Sequence, residues 1–336
     1  MTGLDPERRS RLLGVKLAAL ARDHLALVGE PVSFPGGAAL ATPPRGAVLA
    51  EEEPARSLGP AIAWSLRHDV DELHLLVEDG AGHLTRRAGA FSSPPAVRWV
   101  RGRELHAVDP EPAPVPAPSP SAALAFAPQL EAAGCDVRLE HGAVAGEVLG
   151  LEVARVVEPA DGPPRLEVGV GRHDREAFAI IHGDLPTDAA LRDVVAAVRE
   201  HRRADAPEHP LHRLAAERWL REVVLADPGL VGATALDAAE GPAPRPNVKD
   251  PWPAVASGDG VVVVCSVGSD LDLVPFAADA RLAHGGDGVR LVLVVPARDD
   301  YPITREVNAL LREPAEIVTV PEDWRSRPTA GGQNRR

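Results

Sequence analysis

The chain has 336 residues, 45% apolar, 25% charged and only 3% aromatic, so Val, Leu and Ala must build its cores. Its 36 Lys and Arg stand against 49 Asp and Glu, a net charge of −13. That balance argues against a large duplex-binding groove, because nucleic-acid binders neutralise phosphates with a basic face.

The first element is a helix opened by Asp5-Pro6-Glu7, an N-cap followed by Pro at the first helical position, with Leu12, Leu13, Val15, Leu17, Leu20 and Leu25 recurring behind it. Residues 30–45 are rich in Pro and Gly and read as loop or short strand. An alternation follows: strand Ala47–Ala50, helix Ser57–Leu66, strand Glu72–Val77, helix Gly82–Phe91 with Arg86 and Arg87 facing outward, and strand Val97–Val100. This is a βαβαβ pattern whose connections suit parallel pairing. Residues 1–108 are therefore expected to form an N-terminal α/β module.

Asp109–Ser121 has Pro at every second position from Pro110 to Pro120, which favours extended polyproline geometry and marks a linker. Residues 122–240 read as an acidic mixed α/β domain with 12 basic and 21 acidic side chains. Its expected elements are a short helix Phe126–Ala133, three strands Asp136–Val144, Glu147–Val157 and Arg165–Val170, and two helices Leu191–His201 and Leu211–Leu225. A Pro-rich loop, 241–253, closes it. Residues 254–324 repeat the βαβαβ pattern with strands Val261–Cys265, Arg290–Val295 and Ile317–Val320 around helices Leu271–Ala283 and Thr304–Leu311. Gly46 against Gly260, Leu73 against Leu291 and Val97 against Ile317 align the two modules at offsets of 214, 218 and 220. The low side-chain identity leaves two βαβαβ units converging by chance as the alternative. Residues 325–336 are expected to be a disordered tail. The fold class is thus α/β, with two Rossmann-like βαβαβ modules flanking a mixed α/β middle.

Several chemistries are narrowed by composition. The chain has two lysines, Lys16 and Lys249, against 34 arginines, the skew that GC-rich bacterial coding produces, so any lysine-dependent mechanism has two candidates. Its two cysteines do not make a disulfide framework. Cys265 ends an apolar run and reads as a small buried hydrophobe, Cys135 as a surface or strand-start residue. Charge interrupts the first thirty residues, which rules out a signal-peptide reading, and no run of 18 apolar residues suggests a membrane span. A cytoplasmic protein with no membrane partner is the expectation.

Four constellations could carry chemistry. In the middle segment, Gly150-Leu151-Glu152-Val153 and Leu166-Glu167-Val168-Gly169 lie 15 residues apart, Glu152 to Glu167, on neighbouring strands within a helix–strands–helix order. This resembles the PD-(D/E)XK, or restriction-endonuclease-like, superfamily. The resemblance implies a nuclease-like protein of nucleic-acid metabolism, active or inactive, with Glu152 and Glu167 as catalytic carboxylates and Glu147, Glu152 and Glu167 around a Mg²⁺ ion. Gly169 stands where that family keeps its lysine, which leaves Arg172 as the cation able to swing in. The competing reading makes Glu147, Glu152 and Glu167 solvated positions on alternating strands.

Arg172-His173-Asp174-Arg175-Glu176, with His182 and Asp184, has metal-ligand residue types but no zinc spacing, and reads first as an exposed turn. His209–Arg213, with Arg199, Arg202, Arg203, Glu217, Arg218 and Arg221, is the one locally basic stretch of the middle segment. It is either a charged outer helix face or a grip for a phosphate or an acidic partner. Asp270 and Asp272 follow a buried strand and open a helix, the place where open α/β sheets bind ligands. They could hold a cofactor or nucleotide, or cap the helix. Three functions follow: the nuclease-like protein, a non-enzymatic scaffold that binds a protein partner, and a small-ligand or nucleotide sensor at Asp270. The scaffold reading requires that the three glutamates diverge and that an apolar patch be exposed.

Overall fold

The computed structural model describes residues 5–116, 118–159, 162–171, 175, 187–207, 209–286 and 288–329. The chain is α/β and divides into two compact units. The first comprises Met1–Ala113, Leu271–Asp279 and Tyr301–Pro314, and the second Pro114–Asp270, Ala280–Asp300 and Ala315–Arg336. No helix among the described residues is long and apolar enough to cross a membrane.

The first unit holds a six-stranded sheet in sequence order: β1 (Val32–Phe34), β2 (Gly37–Thr42), β3 (Arg45–Ala50), β4 (Glu72–Val77), β5 (Ala96–Arg101) and β6 (Glu104–Ala107). β3, β4 and β5 are parallel and the outer pairings antiparallel. Helix α1 (Pro6–Leu20) packs on β2 and β3, inserting Leu13, Leu17 and Leu20 among Ala38, Leu40, Ala47 and Leu49. Those strand residues alternate, so they share one sheet face. Helices α2 (Leu58–Arg67) and α3 (Ala81–Ala88) make the crossovers and pack on β4 and β5. The Pro- and Gly-rich stretch 30–45 contains β1, β2 and the start of β3. Its Pro35-Gly36 and Pro43-Pro44 are turn residues, and the strands they join are too short to show a period.

The second unit holds two sheets. One is a four-stranded antiparallel meander of β7 (Asp136–Glu140), β8 (Ala143–Val148), β9 (Leu151–Val157) and β10 (Arg165–Val168). Where three strands are expected from the sequence, Glu147–Val157 is instead a hairpin. Leu149 and Gly150 both adopt positive φ, 50° and 75°, as a two-residue hairpin turn of the primed type requires. Beside this sheet lie α4 (Ser121–Leu124), α5 (Ala127–Ala133) and α6 (Thr187–His201), and they close a core around Leu130, Val153, Leu191 and Val195. Cys135 is buried there against Gly146 rather than lying at the surface.

The other sheet has the order β11 (Asp237–Ala239), β12 (Ala254–Gly258), β13 (Val261–Cys265), β14 (Arg290–Pro296) and β15 (Glu316–Val320). Helix α7 (Ala216–Ala226) packs on β12 and β13 through Trp219, Leu220, Val223 and Val224. Cys265 is fully buried, and burial pushes its thiol up to about 12, as suits an inert core residue.

The strand registers tie the two larger sheets together as repeats. Thr42 pairs with Arg45 and Gly258 with Val261, two hairpins 216 positions apart. Arg45 pairs with Glu72 and Val261 with Arg290, which puts β14 at 218 from β4. His74 pairs with Ala96 and Val292 with Glu316, which puts β15 at 220 from β5. The first alignment from sequence, Gly46 with Gly260, is therefore two residues out of register. The repeat is also larger than βαβαβ. Val32 pairs with Ala39 as Ala239 pairs with Val255, so β1 and β2 match β11 and β12, and α1 matches α7. Each repeat runs α-β-β-β-α-β-α-β, with α8 (Leu273–His284) and α9 (Pro302–Ala309) as the second set of crossovers.

Segments of the second repeat belong to the first unit, where equivalent residues meet. Phe91 forms an antiparallel bridge with Leu311, 220 positions away. Ser92 N–H donates to Leu310 C=O at 2.9 Å, and Arg312 N–H to Ala90 C=O at 3.0 Å. Such reciprocal bonds between equivalent positions mark a local two-fold axis, the signature of an isologous contact. Arg86 and Arg87, expected to face outward, instead turn inward here, Arg87 buried and Arg86 half-buried. Arg86 binds Asp279 bidentately at 2.8 and 3.0 Å, and Arg87 donates to Asp272 at 2.7 Å and to Ala55 C=O at 2.6 Å. Asp272 also accepts from Gly59 N–H at 3.1 Å. A Cβ on Gly59 would lie 2.0 Å from the Leu271 carbonyl oxygen, so the approach of α2 to Leu271 requires glycine. Gly59→Ala should lower stability by about 1–3 kcal/mol, the range for overpacking, read as a drop in the urea midpoint.

Candidate functional site

The residues singled out by sequence converge in part, around α7 and the four-stranded sheet. Glu147 on β8 and Glu140 on β7 point at the helix. Arg218 donates to both carboxylates, and Arg221 donates to Glu147 at 3.0 Å and to Glu140 at 3.2 Å. Arg138 reaches Glu222 at 2.8 Å and Glu147 at 3.7 Å. Glu147, Arg221 and Glu222 are almost wholly removed from solvent. The basic stretch around Arg218 and Arg221 is thus not an outer helix face. Its acidic partner is the chain's own sheet.

Glu152, on β9, pairs in register with Glu147 across the hairpin, yet its carboxylate has different partners. Arg155 donates to it at 2.6 and 3.1 Å, and Arg175 at 2.5 Å. Glu167 takes a third direction, toward Arg165 on its own strand at 2.9 Å. Four carboxylates (Glu140, Glu147, Glu152 and Glu222) therefore meet five guanidinium groups (Arg138, Arg155, Arg175, Arg218 and Arg221). A divalent cation placed there would meet guanidinium charge on every approach, since Arg keeps its proton. Mg²⁺ does not fit these residues. Among the described residues no group of three His, Cys, Asp or Glu side chains could hold a metal ion. Arg172, His173, Asp174, Glu176, His182 and Asp184 lie outside the described residues.

The titration behaviour follows from the same geometry. Burial works against the charged form of Glu140, but Arg218 and Arg221 hold its carboxyl down at about 2. Glu147 shares those arginines and is more deeply buried, and burial pushes it above the ordinary carboxylate value. Two carboxylates on shared cations separate in this way because like charges cannot ionise equally easily. Burial also opposes the charge on Glu152, which Arg155 and Arg175 nonetheless keep below its ordinary value.

A second buried cation fixes the loop that enters α7. Arg202, at the end of α6, has no solvent exposure and donates to the carbonyls of Leu149, Leu211, Leu214 and Ala215 at 2.6–3.0 Å. It lies 4.8 Å over the Trp219 ring, and Trp219 meets Trp324 edge-on at 5.8 Å. Burial pulls the Arg202 guanidinium down to about 9. Neither its carbonyl partners nor this aromatic pair could be read from the sequence, because the contacts are long-range.

Asp270 and Asp272 separate. Asp272 is engaged by Gly59 and Arg87, as described above, while Asp270 belongs to the second unit and lies near enough to Glu217 to raise that carboxyl further after burial has done so. A surface feature the sequence did not suggest is on α1. Its outer face leaves Leu12 and Val15 51% and 65% exposed, and Val28 and Val32 beyond it are 75% and 48% exposed. A groove of about 660 Å³ runs between this face and residues 30–33.

Comparison with known proteins returns no match: no family model fits the chain, and no curated protein and no solved structure is similar to it.

Two outcomes are expected. Glu147→Gln should cost about 3–5 kcal/mol of unfolding free energy, because it leaves buried guanidinium charge uncompensated, whereas Glu167→Gln should stay within about 0.5 kcal/mol. Because the folded-state value of Glu140 lies below its ordinary 4.5, its contribution is complete above that pH and is lost as the pH falls from about 4.5 toward about 2. Acid unfolding monitored by circular dichroism should show this loss, and Glu140→Gln should flatten it.

Proposed function

We propose that the protein is a non-enzymatic scaffold that binds a protein partner, with the middle sheet serving to lock α7 rather than to hold a catalytic metal. The observation that carries this reading is the engagement of Glu147 and Glu152 by arginines. A nuclease of the kind the motif resembles needs carboxylates that are free to take a metal ion and to activate water at a phosphate. Here the same positions give an interlocked core that favours one arrangement of sheet and helix. The exposed apolar residues on α1 supply the surface that a scaffold needs.

Calorimetric titration of Mg²⁺ and Mn²⁺ into the full chain tests it. The expected result is no site-specific heat, and no difference between the wild type and the Glu152→Ala, Glu167→Ala double variant. Binding that the double variant loses would overturn the scaffold reading in favour of the nuclease-like one.

A further inference from the structure

The two repeats close the same hairpin differently. Two residues, Pro35 and Gly36, join β1 to β2, whereas residues 240–253 separate β11 from β12, which pair in the same antiparallel sense. A tight turn suffices for this hairpin in the first repeat, so the second carries an added strap. Irregular loops of this length are uncommon in compact domains and usually have a function. The strap folds around Arg245. That guanidinium donates to the carbonyls of Asn247, Val248 and Asp250 at 2.6, 3.3 and 2.7 Å. The Asn247 side-chain oxygen accepts from the N–H groups of Lys249 and Asp250 at 2.8 and 2.9 Å. Arg245 at the same time faces inward, 3.7 Å from Glu217 in the first turn of α7, and both side chains are buried. The N–H of Trp252, also in the strap, reaches the Glu217 carboxyl as well.

This contact differs from the other buried ion pairs of α7. Arg138, Arg218 and Arg221 each donate a hydrogen bond to a carboxylate. Between Arg245 and Glu217 there is none: Oε2 of Glu217 and Nη1 of Arg245 are buried without a hydrogen-bond partner. The titration behaviour differs in the same sense. Arg218 is pushed further toward its charged form and Glu140 is held down at about 2, whereas burial pushes the Glu217 carboxyl above its ordinary value and pulls the Arg245 guanidinium below its own. Buried charge that hydrogen bonds do not match is costly, and opening the strap returns both groups to water.

We infer that residues 240–253 form a strap that opens and closes over the first turn of α7, latched by Arg245 on Glu217, while the rest of the second unit stays folded. Open, it bares Glu217 close to Asp270, beyond the carboxyl end of β13. That is the position at which α/β sheets take ligands, so the strap acts as a gate there. The inference stands apart from the scaffold reading, because it concerns neither the metal question nor the α1 face.

The placement of lysine supplies the test. The chain has two lysines, Lys249 in the strap and Lys16 in α1, so a lysine-specific endoproteinase has two sites on the full-length protein. Cleavage after Lys249 should be at least tenfold faster in Arg245→Gln than in the wild type, with the bond after Lys16 intact and the circular dichroism spectrum unchanged. Hydrogen exchange on the wild type needs no variant and separates strap opening from unfolding of the second unit. The amides of Lys249 and Asp250 should exchange at a rate that low urea leaves unchanged, while urea accelerates exchange in β13. Equal cleavage after Lys249 in the wild type and Arg245→Gln would overturn the inference. So would strap amides whose exchange accelerates with urea in step with β13, since the strap would then open only when the unit unfolds.

Discussion

The arrangement of the second unit depends on one buried exchange of charge. Glu147 lies in the interior, and a carboxylate there is tolerable only if cations accompany it and satisfy its oxygens. Arg218 and Arg221, one turn apart on α7, do so while their apolar neighbours Trp219, Leu220, Val223 and Val224 pack on β12 and β13. A single short helix is therefore clamped between two sheets, by ions on one side and by hydrophobic contact on the other. Either contact alone would leave half of α7 exposed or half of the charge unmatched.

That constraint gives the carboxylates of the middle sheet a role in the fold. Strands β8 and β9 bring Glu147 and Glu152 into register, as a two-carboxylate site would require. What decides the chemistry is the nearest cation. In this chain it is a guanidinium from α7, from β9 itself or from Arg175, and a guanidinium does not give up its proton at any ordinary pH. The pairing that would build a metal site from two neutral-facing strands here builds a charge-matched interior.

Much of the fold was legible because its signals are local. The runs Glu72–Val77, Val261–Cys265 and Arg290–Val295 are apolar enough to declare themselves as buried strands, and the recurrence of βαβαβ is visible in the sequence. What escaped was set by turns and by partners distant in the chain. The Leu149-Gly150 turn puts a leucine at positive φ, against its usual preference, so Glu147–Val157 reads as one strand when it is two. Arg86, Arg87, Arg202, Arg218 and Arg221 read as surface charge because arginine usually is; their partners include carboxylates and carbonyls from 9 to 193 residues away. The neighbours of Glu147 and Glu152, which decide their role, are a property of the tertiary structure.

The placement of α7 depends most directly on the coupling between Glu147 and Arg221, which a double-mutant cycle measures. Unfolding free energies of Glu147→Gln, Arg221→Met and the double variant should show the double change costing less than the sum of the singles by at least about 2 kcal/mol, since each single change leaves an unmatched buried group and the double removes both. Additive costs, within about 0.5 kcal/mol, would mean that Arg221 does not hold Glu147, and would contradict the assignment of this ion pair to the architecture of the protein.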